Sequence, residues 1–289
     1  MLRIRPECLP CTLSTGVRMA KLATQNPGLQ RLAVCELARR LSNITWDEAP
    51  IDLSYIAQRV IEEVTRVKDP YEEIKRRSNS AILKHYADLK ASVRSAADPL
   101  EAAVRLAIAG NLIDFGPHDK VDLEQPFRKA SEDLAINDYE IFRRAVMKSS
   151  SLLYFLDNAG EAVFDRLLIE TMIEVRGAPF EEVGLVVKEG PLVNDVTLKD
   201  AREIGIDGIW NSSFMLIGDG SGSAPSFRSD EVKEWIEKHD LVIFKGQANF
   251  EIFEDEAGSF FLLIVKCPVI AEVLGVGVGD MILRCSGPR

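Results

Sequence analysis

The sequence predicts an α/β fold: a mostly parallel, Rossmann-like sheet with helices on both faces, preceded by an all-helical N-terminal domain. Three observations predict it. Up to about residue 150, apolar residues recur at three- and four-residue spacing, the period of an amphipathic helix. Prolines at Pro27, Pro50, Pro70 and Pro99 cut that half into helix-length pieces. From Ser151 onward, short apolar runs alternate with amphipathic stretches, the pattern of buried parallel strands covered by helices.

Taken in order, residues 30–42, 53–67, 71–90 and 99–113 read as helices. Asp69 and Asp98 each precede a proline suited to the first position of a helix. Residues 152–156, 183–187, 208–210, 241–244 and 260–265 read as strands, and 281–285 as a last edge strand. Residues 161–175, 198–204 and 230–238 are the helices between them. A helical domain, 1–150, is therefore expected to cap an α/β domain, 151–289, that carries the site. No repeat of 20–50 residues is visible.

Composition narrows the classes. With 46% hydrophobic and 28% charged residues the chain is globular. A net charge of −10 disfavours a non-specific nucleic-acid binder, which needs cations to displace counterions from phosphates. No apolar run is long enough to span a bilayer or resemble a signal peptide, so no membrane partner and a cytoplasmic location are expected. Five cysteines do not suggest a secreted disulfide framework. Sequence leaves the oligomeric state open.

In parallel sheets ligands bind beyond the carboxyl ends of the strands. Asp157-Asn158-Ala159-Gly160-Glu161 follows the first expected strand, and Asn194-Asp195 lies beyond the second. Asn211-Ser212-Ser213 follows the third, and Lys245-Gly246-Gln247-Ala248-Asn249 the fourth. Asp157, Asn158 and Asp195 offer hard oxygen ligands that suit magnesium or manganese. Asp157 could instead cap a helix. Asp195 lies upstream of a capping box, Thr197 to Asp200, that leaves it free for another task. Lys245 would pair with phosphate oxygens, Gly246 would let the backbone approach a ligand, and Asn249 and Ser212 would add polar contacts. The glycine-serine stretch 218–223 lacks a P-loop ending and reads as a linker or a lid beside the site.

These residues resemble the damage-control phosphatase family, a metal-dependent family formerly catalogued as a domain of unknown function. Asp157 to Glu161, Asn194 to Thr197 with Asp200, and Lys245-Gly246 with Asn249 carry the likeness. Asp69-Pro70-Tyr71 with Lys75 and Asn79, and Gly110 to Gly116, extend it into the helical half. Cys8-Leu9-Pro10-Cys11 resembles the CxxC motif of the first subfamily. The resemblance implies hydrolysis of small-molecule phosphate esters with Mn2+ or Ni2+, Co2+ or Mg2+ also serving. Asp157, Asn158 and Asp195 would be the metal ligands and Lys245 the phosphate ligand. Sugar phosphates or damaged purine nucleotides and their precursors are the implied substrates.

Asn111 and Asp114 fall on one helical face and would close over the substrate or orient a water. Lys75 and Asn79 share a face too, although Lys75 could pair with Glu72. Cys8 and Cys11 could bind an accessory metal, act in redox chemistry or simply pack. Asp157, Asp195 and Lys245 are the catalytic candidates. A covalent aspartyl phosphate on Asp157 fits poorly, because haloacid-dehalogenase-type enzymes carry a second Asp where Ala159 stands here. An S-adenosylmethionine-dependent methyltransferase would need a glycine-rich turn after its first strand. A non-catalytic nucleotide sensor would need no metal-binding acids.

Overall fold

The computed structural model describes residues 1–112 and 124–287. The helical half runs α1 (Cys8–Ala23), α2 (Pro27–Leu41), α3 (Pro50–Thr65), α4 (Glu72–Leu83), α5 (Tyr86–Ser95), α6 (Pro99–Ala109) and α7 (Glu124–Ala130). Then follow β1 (Leu134–Asn137), α8 (Tyr139–Lys148), β2 (Ser151–Phe155), α9 (Glu161–Arg176), β3 (Glu182–Lys188) and α10 (Leu198–Glu203). The chain ends with β4 (Ser212–Ile217), α11 (Asp230–Lys238), β5 (Leu241–Lys245), α12 (Gly246–Phe253), β6 (Phe260–Ile264), α13 (Pro268–Leu274) and β7 (Met281–Cys285).

The helix starts follow their local chemistry. Asp98 accepts from the backbone N–H groups of Leu100 and Glu101, with Pro99 in the first turn. Asn26 does the same for α2 ahead of Pro27. Asp69 does not open a helix directly. It accepts from the Tyr71 N–H, and α4 begins only at Glu72. The helix expected over 71–90 is two helices, broken at Lys84-His85.

Among the described residues seven strands lie in one sheet, in the order β1-β7-β6-β5-β2-β3-β4. Strands β2 to β6 are mutually parallel, while β7 runs antiparallel to β6 and parallel to β1. The expected α/β class with a mostly parallel sheet is what the chain adopts. Both faces are buried, and so the strands are continuously apolar. Leu152 and Tyr154 of β2 face the helices α6 and α9, while Leu153 and Phe155 face α11 and α12. Strand β6 alternates likewise, with Phe260 and Leu262 on one side and Phe261 and Leu263 on the other. A third apolar cluster joins α1, α2 and α3 around Met19, Leu37 and Val60.

Three strand expectations change. Strand β1 and helix α8 precede residue 150 and belong to the sheet layer, so the helical half contributes a strand. Strand β7 is not an edge, because β1 pairs outside it. The third strand is not at 208–210. A 3-10 turn occupies Ile206–Gly208, Asn211 turns the chain with φ +58°, and β4 starts at Ser212. Asparagine tolerates that left-handed backbone better than most residues. Strand β4 is the partly exposed sheet edge, so its apolar signal is weaker than that of the central strands.

Candidate functional site

The chain leaves β2 through Asp157 and Asn158 and turns into α9, whose first residue is Glu161. Leaving β3, it loops back across the same sheet end. A backbone clasp joins the two segments. Val196 N–H donates to Asp157 O (2.8 Å), and Ala159 N–H donates to Asn194 O (3.0 Å). Asn158 and Asp195 form an isolated antiparallel bridge inside it. The two expected acids, far apart in sequence, are thereby brought to one point. In the same loop Val193 takes φ +49°, a costly backbone for a β-branched residue.

A cavity of about 770 Å3 opens over this clasp. Asp157, Asn158, Asp195 and Asn111 line its floor, and Lys266, Gln247 and Glu251 line the wall from the β5 and β6 side. Asn111 Nδ2 and Asn158 Nδ2 both donate to Asp157 Oδ2, at 3.0 and 2.5 Å. Both amides also donate to Glu161 Oε2, Asn158 at 3.1 Å. Gly246, at φ +76°, packs flat against this carboxylate. A β-carbon there would stand 1.9 Å from Asp157 Oδ2. The close backbone approach expected of Gly246 is therefore to Asp157.

Burial disfavours charge on these acids. Burial, with Glu161 and Asp195 adding to it, pushes the Asp157 carboxyl up to about 8. Burial raises Asp195 as well, against the pull of Lys188, whose Nζ lies 3.5 Å from Asp195 Oδ2. Among the described residues that buried oxygen has no hydrogen bond of good geometry. A divalent cation fits this donor set. It would meet two carboxylates and an amide, and would add a second positive charge beside an oxygen that only the Lys188 ammonium faces at 3.5 Å.

Lys245 does not stand where a phosphate contact needs it. Its side chain is fully buried beneath the floor, and its Nζ donates to Ala107 O (2.8 Å), Glu161 Oε1 (2.6 Å) and Asp165 Oδ1 (2.7 Å). An ammonium has three N–H groups, and these three acceptors use them. Burial alone would lower Lys245, but Asp165 and Glu161 outweigh it and hold it above its ordinary value. Asn249 is also internal. Its Nδ2 donates to Leu156 O and Lys245 O, tying the ends of β2 and β5 together. Ser212 lies at the wrong end of the sheet. It pairs with Val183 at the start of β3, and its hydroxyl donates to Asp207 O. Its expected substrate contact rested on the misplaced third strand. Asp114 lies outside the described residues.

Lys75 and Asn79 share the expected face, with a structural outcome. Lys75 Nζ is buried between Asp69 (2.8 Å) and Asp200 (2.7 Å), not paired with Glu72. Asn79 Oδ1 accepts from Gly160 N–H (2.7 Å) and so steadies the turn after Asn158. The glycine-serine loop is fastened at Glu189, which accepts from Ser223 and Ala224, and at Asp219, which pairs with Arg59.

A candidate site residue that sequence reasoning missed is Lys266. It directly follows the apolar run of β6, is exposed, and lowers the proton affinity of both Asp157 and Asp195 by its charge. The signal was available, since it is one more polar group at a parallel strand end. Cys8 and Cys11 line the same cavity together with Cys267, and all three are free thiols. Burial raises both Cys8 and Cys11. Gln247 Nε2 donates to Glu251 Oε1 (2.8 Å) and Cys267 Sγ (3.4 Å), and Gln247 Oε1 accepts from Lys266 N–H (2.8 Å).

Among the described residues no helix is long and apolar enough to cross a membrane. The sequence matches the damage-control phosphatase ARMT1-like domain over residues 4–282. It is 33% identical to a damage-control phosphatase of Archaeoglobus fulgidus, covering 98% of this chain and 99% of that protein. It is 32% identical to damage-control phosphatase PH1575 of Pyrococcus horikoshii over 97% of each chain. The fold is similar to the crystal structure of that DUF89 family protein, with a TM-score of 0.83 and 30% identity over 99% of this chain and 100% of the other. Over nearly its whole length, then, the chain belongs to the damage-control phosphatase ARMT1-like domain family.

Proposed function

We propose that the protein is a metal-dependent phosphomonoesterase of metabolite repair, with Asp157, Asn158 and Asp195 holding Mn2+ or Ni2+. The observation that carries this reading is the clasp that sets two buried carboxylates and an amide together, one carboxylate oxygen having no hydrogen bond of good geometry among the described residues. A cation held by these residues would supply Lewis-acid neutralisation of phosphoryl oxygens. Lys266 at the wall meets the phosphoryl group and stabilises the charge that develops on it. Among the described residues Asp195, balanced by Lys188, is the candidate to take a proton from an attacking water.

The cavity volume of about 770 Å3 suits a small molecule. Sugar phosphates and damaged purine nucleotides are the substrate classes to try first. The deciding experiment is inorganic phosphate release from a panel of both, with and without Mn2+. Metal-stimulated release is expected. No release from any ester at any metal would overturn the reading and return the nucleotide-sensor alternative.

A further inference from the structure

Beneath the proposed metal ligands lies a buried carboxylate that the reaction itself does not need. We propose that Glu161 is a positioning residue, which fixes the Asn158 amide with its oxygen toward the cation; this rests on the metal reading above. An amide can present either its oxygen or its NH2 to a neighbour, and only the oxygen can bind a cation. Something must choose between the two.

Glu161 makes that choice together with Asp157. Its Oε2 accepts from Asn158 Nδ2 (3.1 Å) and from Asn111 Nδ2. Asp157 Oδ2 takes the same two amide nitrogens, at 2.5 and 3.0 Å. Both Asn nitrogens are thus held between two carboxylates. Among the described residues, no hydrogen bond reaches Asn158 Oδ1 or Asp157 Oδ1, so these two oxygens remain for a cation. Glu161 cannot swing away. It is 1% exposed, and its other oxygen is held by Lys245 at 2.6 Å, itself anchored on Asp165 and Ala107. The lysine that seemed to face the substrate therefore anchors the residue that orients a ligand.

The geometry gives an unusual sign for a double substitution. In Glu161→Gln the single side-chain oxygen goes to Lys245, the charged donor, and the new NH2 faces the Asn158 NH2. Donor meets donor, so Asn158 Nδ2 keeps only its bond to Asp157 Oδ2, and its oxygen is no longer firmly fixed toward the cation. Adding Lys245→Met frees the glutamine to turn its oxygen back to Asn158. The test is Mn2+ titration of the full chain followed by electron paramagnetic resonance, with circular dichroism to confirm folding. Glu161→Gln should raise the Mn2+ Kd by about 10–100-fold, the scale for outer ligand-orienting partners. Saturating Mn2+ should restore most of kcat. Glu161→Gln with Lys245→Met should bind Mn2+ more tightly than Glu161→Gln alone, a rescue that a purely structural role would not give.

Wild-type affinity in Glu161→Gln, or a double variant no better than the single, would overturn the proposal while leaving the metal site standing. Where Glu161→Gln fails to fold, Glu161→Asp keeps the charge but is too short to reach both amides. It should weaken Mn2+ about tenfold, and wild-type affinity there would equally overturn the proposal. No Mn2+ binding by the wild-type chain would overturn the metal reading itself, and this proposal with it.

Discussion

Two lysines stand one strand apart at the same end of the sheet and have opposite surroundings. Lys245, at the end of β5, is fully buried and saturated by Glu161, Asp165 and a backbone carbonyl. Lys266, just past β6, is exposed at the wall of the cavity. Both follow an apolar strand, so the local sequence does not distinguish them. The difference teaches that a strand-end cation has two uses. One neutralises the acids under a site, and the other is left over for what enters it.

The largest expected effect probes what both lysines serve. Asp157→Ala should abolish Mn2+-stimulated phosphate release while circular dichroism remains that of a folded protein. Full activity in that variant would remove Asp157 from the metal site. Next, Lys266→Ala should lower kcat by about a hundredfold, the scale for one electrostatic donor to a transition state. A rise in KM alone would mean that Lys266 gives only uniform binding.

Lys245→Met breaks the comparison from the other side. It leaves two carboxylates buried without their cation, and losing one partner of a buried pair costs about 3–5 kcal/mol. Denaturant unfolding should show that loss in the metal-free protein, whereas Lys266→Ala should leave stability nearly unchanged. Equal stabilities for the two variants would erase the distinction.

A smaller effect concerns protons. The Asp157 carboxyl is pushed up to about 8 in the folded state by burial and by Glu161 and Asp195. Between the ordinary carboxyl range near 4 and about pH 8, the unfolded chain ionises this group and the folded chain does not. Stability therefore falls as pH rises through that window. Mn2+ held at the proposed site would favour the ionised form and should flatten the fall, as thermal melts at pH 5 and pH 8 with and without Mn2+ would reveal. The smallest effect is that of Ser212→Ala, which should leave kcat/KM within about twofold, since surface changes away from a site seldom matter.

How much of this was legible can be judged residue by residue. Asp157, Asn158 and Asp195 were readable because each lies just beyond a continuous apolar run, and parallel topology sends such ends to one edge. Lys75 and Asn79 were readable as one helix face, but not as a brace on α10 and Gly160, because their partners lie more than 80 residues away. Ser212 was misread because an edge strand, half exposed, gives a diluted apolar pattern. Cys267 could not be joined to Cys8 and Cys11 by any spacing rule, since only packing brings them to one cavity.

By itself, then, the sequence determined the α/β class, the parallel strands and the acids at their ends. All of these follow from local periodicity and the direction of the chain. Tertiary structure alone decided which cation is buried and which is exposed, that β1 closes the sheet beyond β7, and that Glu161 links Lys245 to Asn158. The physical reason is that burial and hydrogen-bond partnership belong to pairs of segments distant in sequence. Lys245 and Glu161, 84 residues apart, share one charge balance only because β5 and α9 pack on the same core.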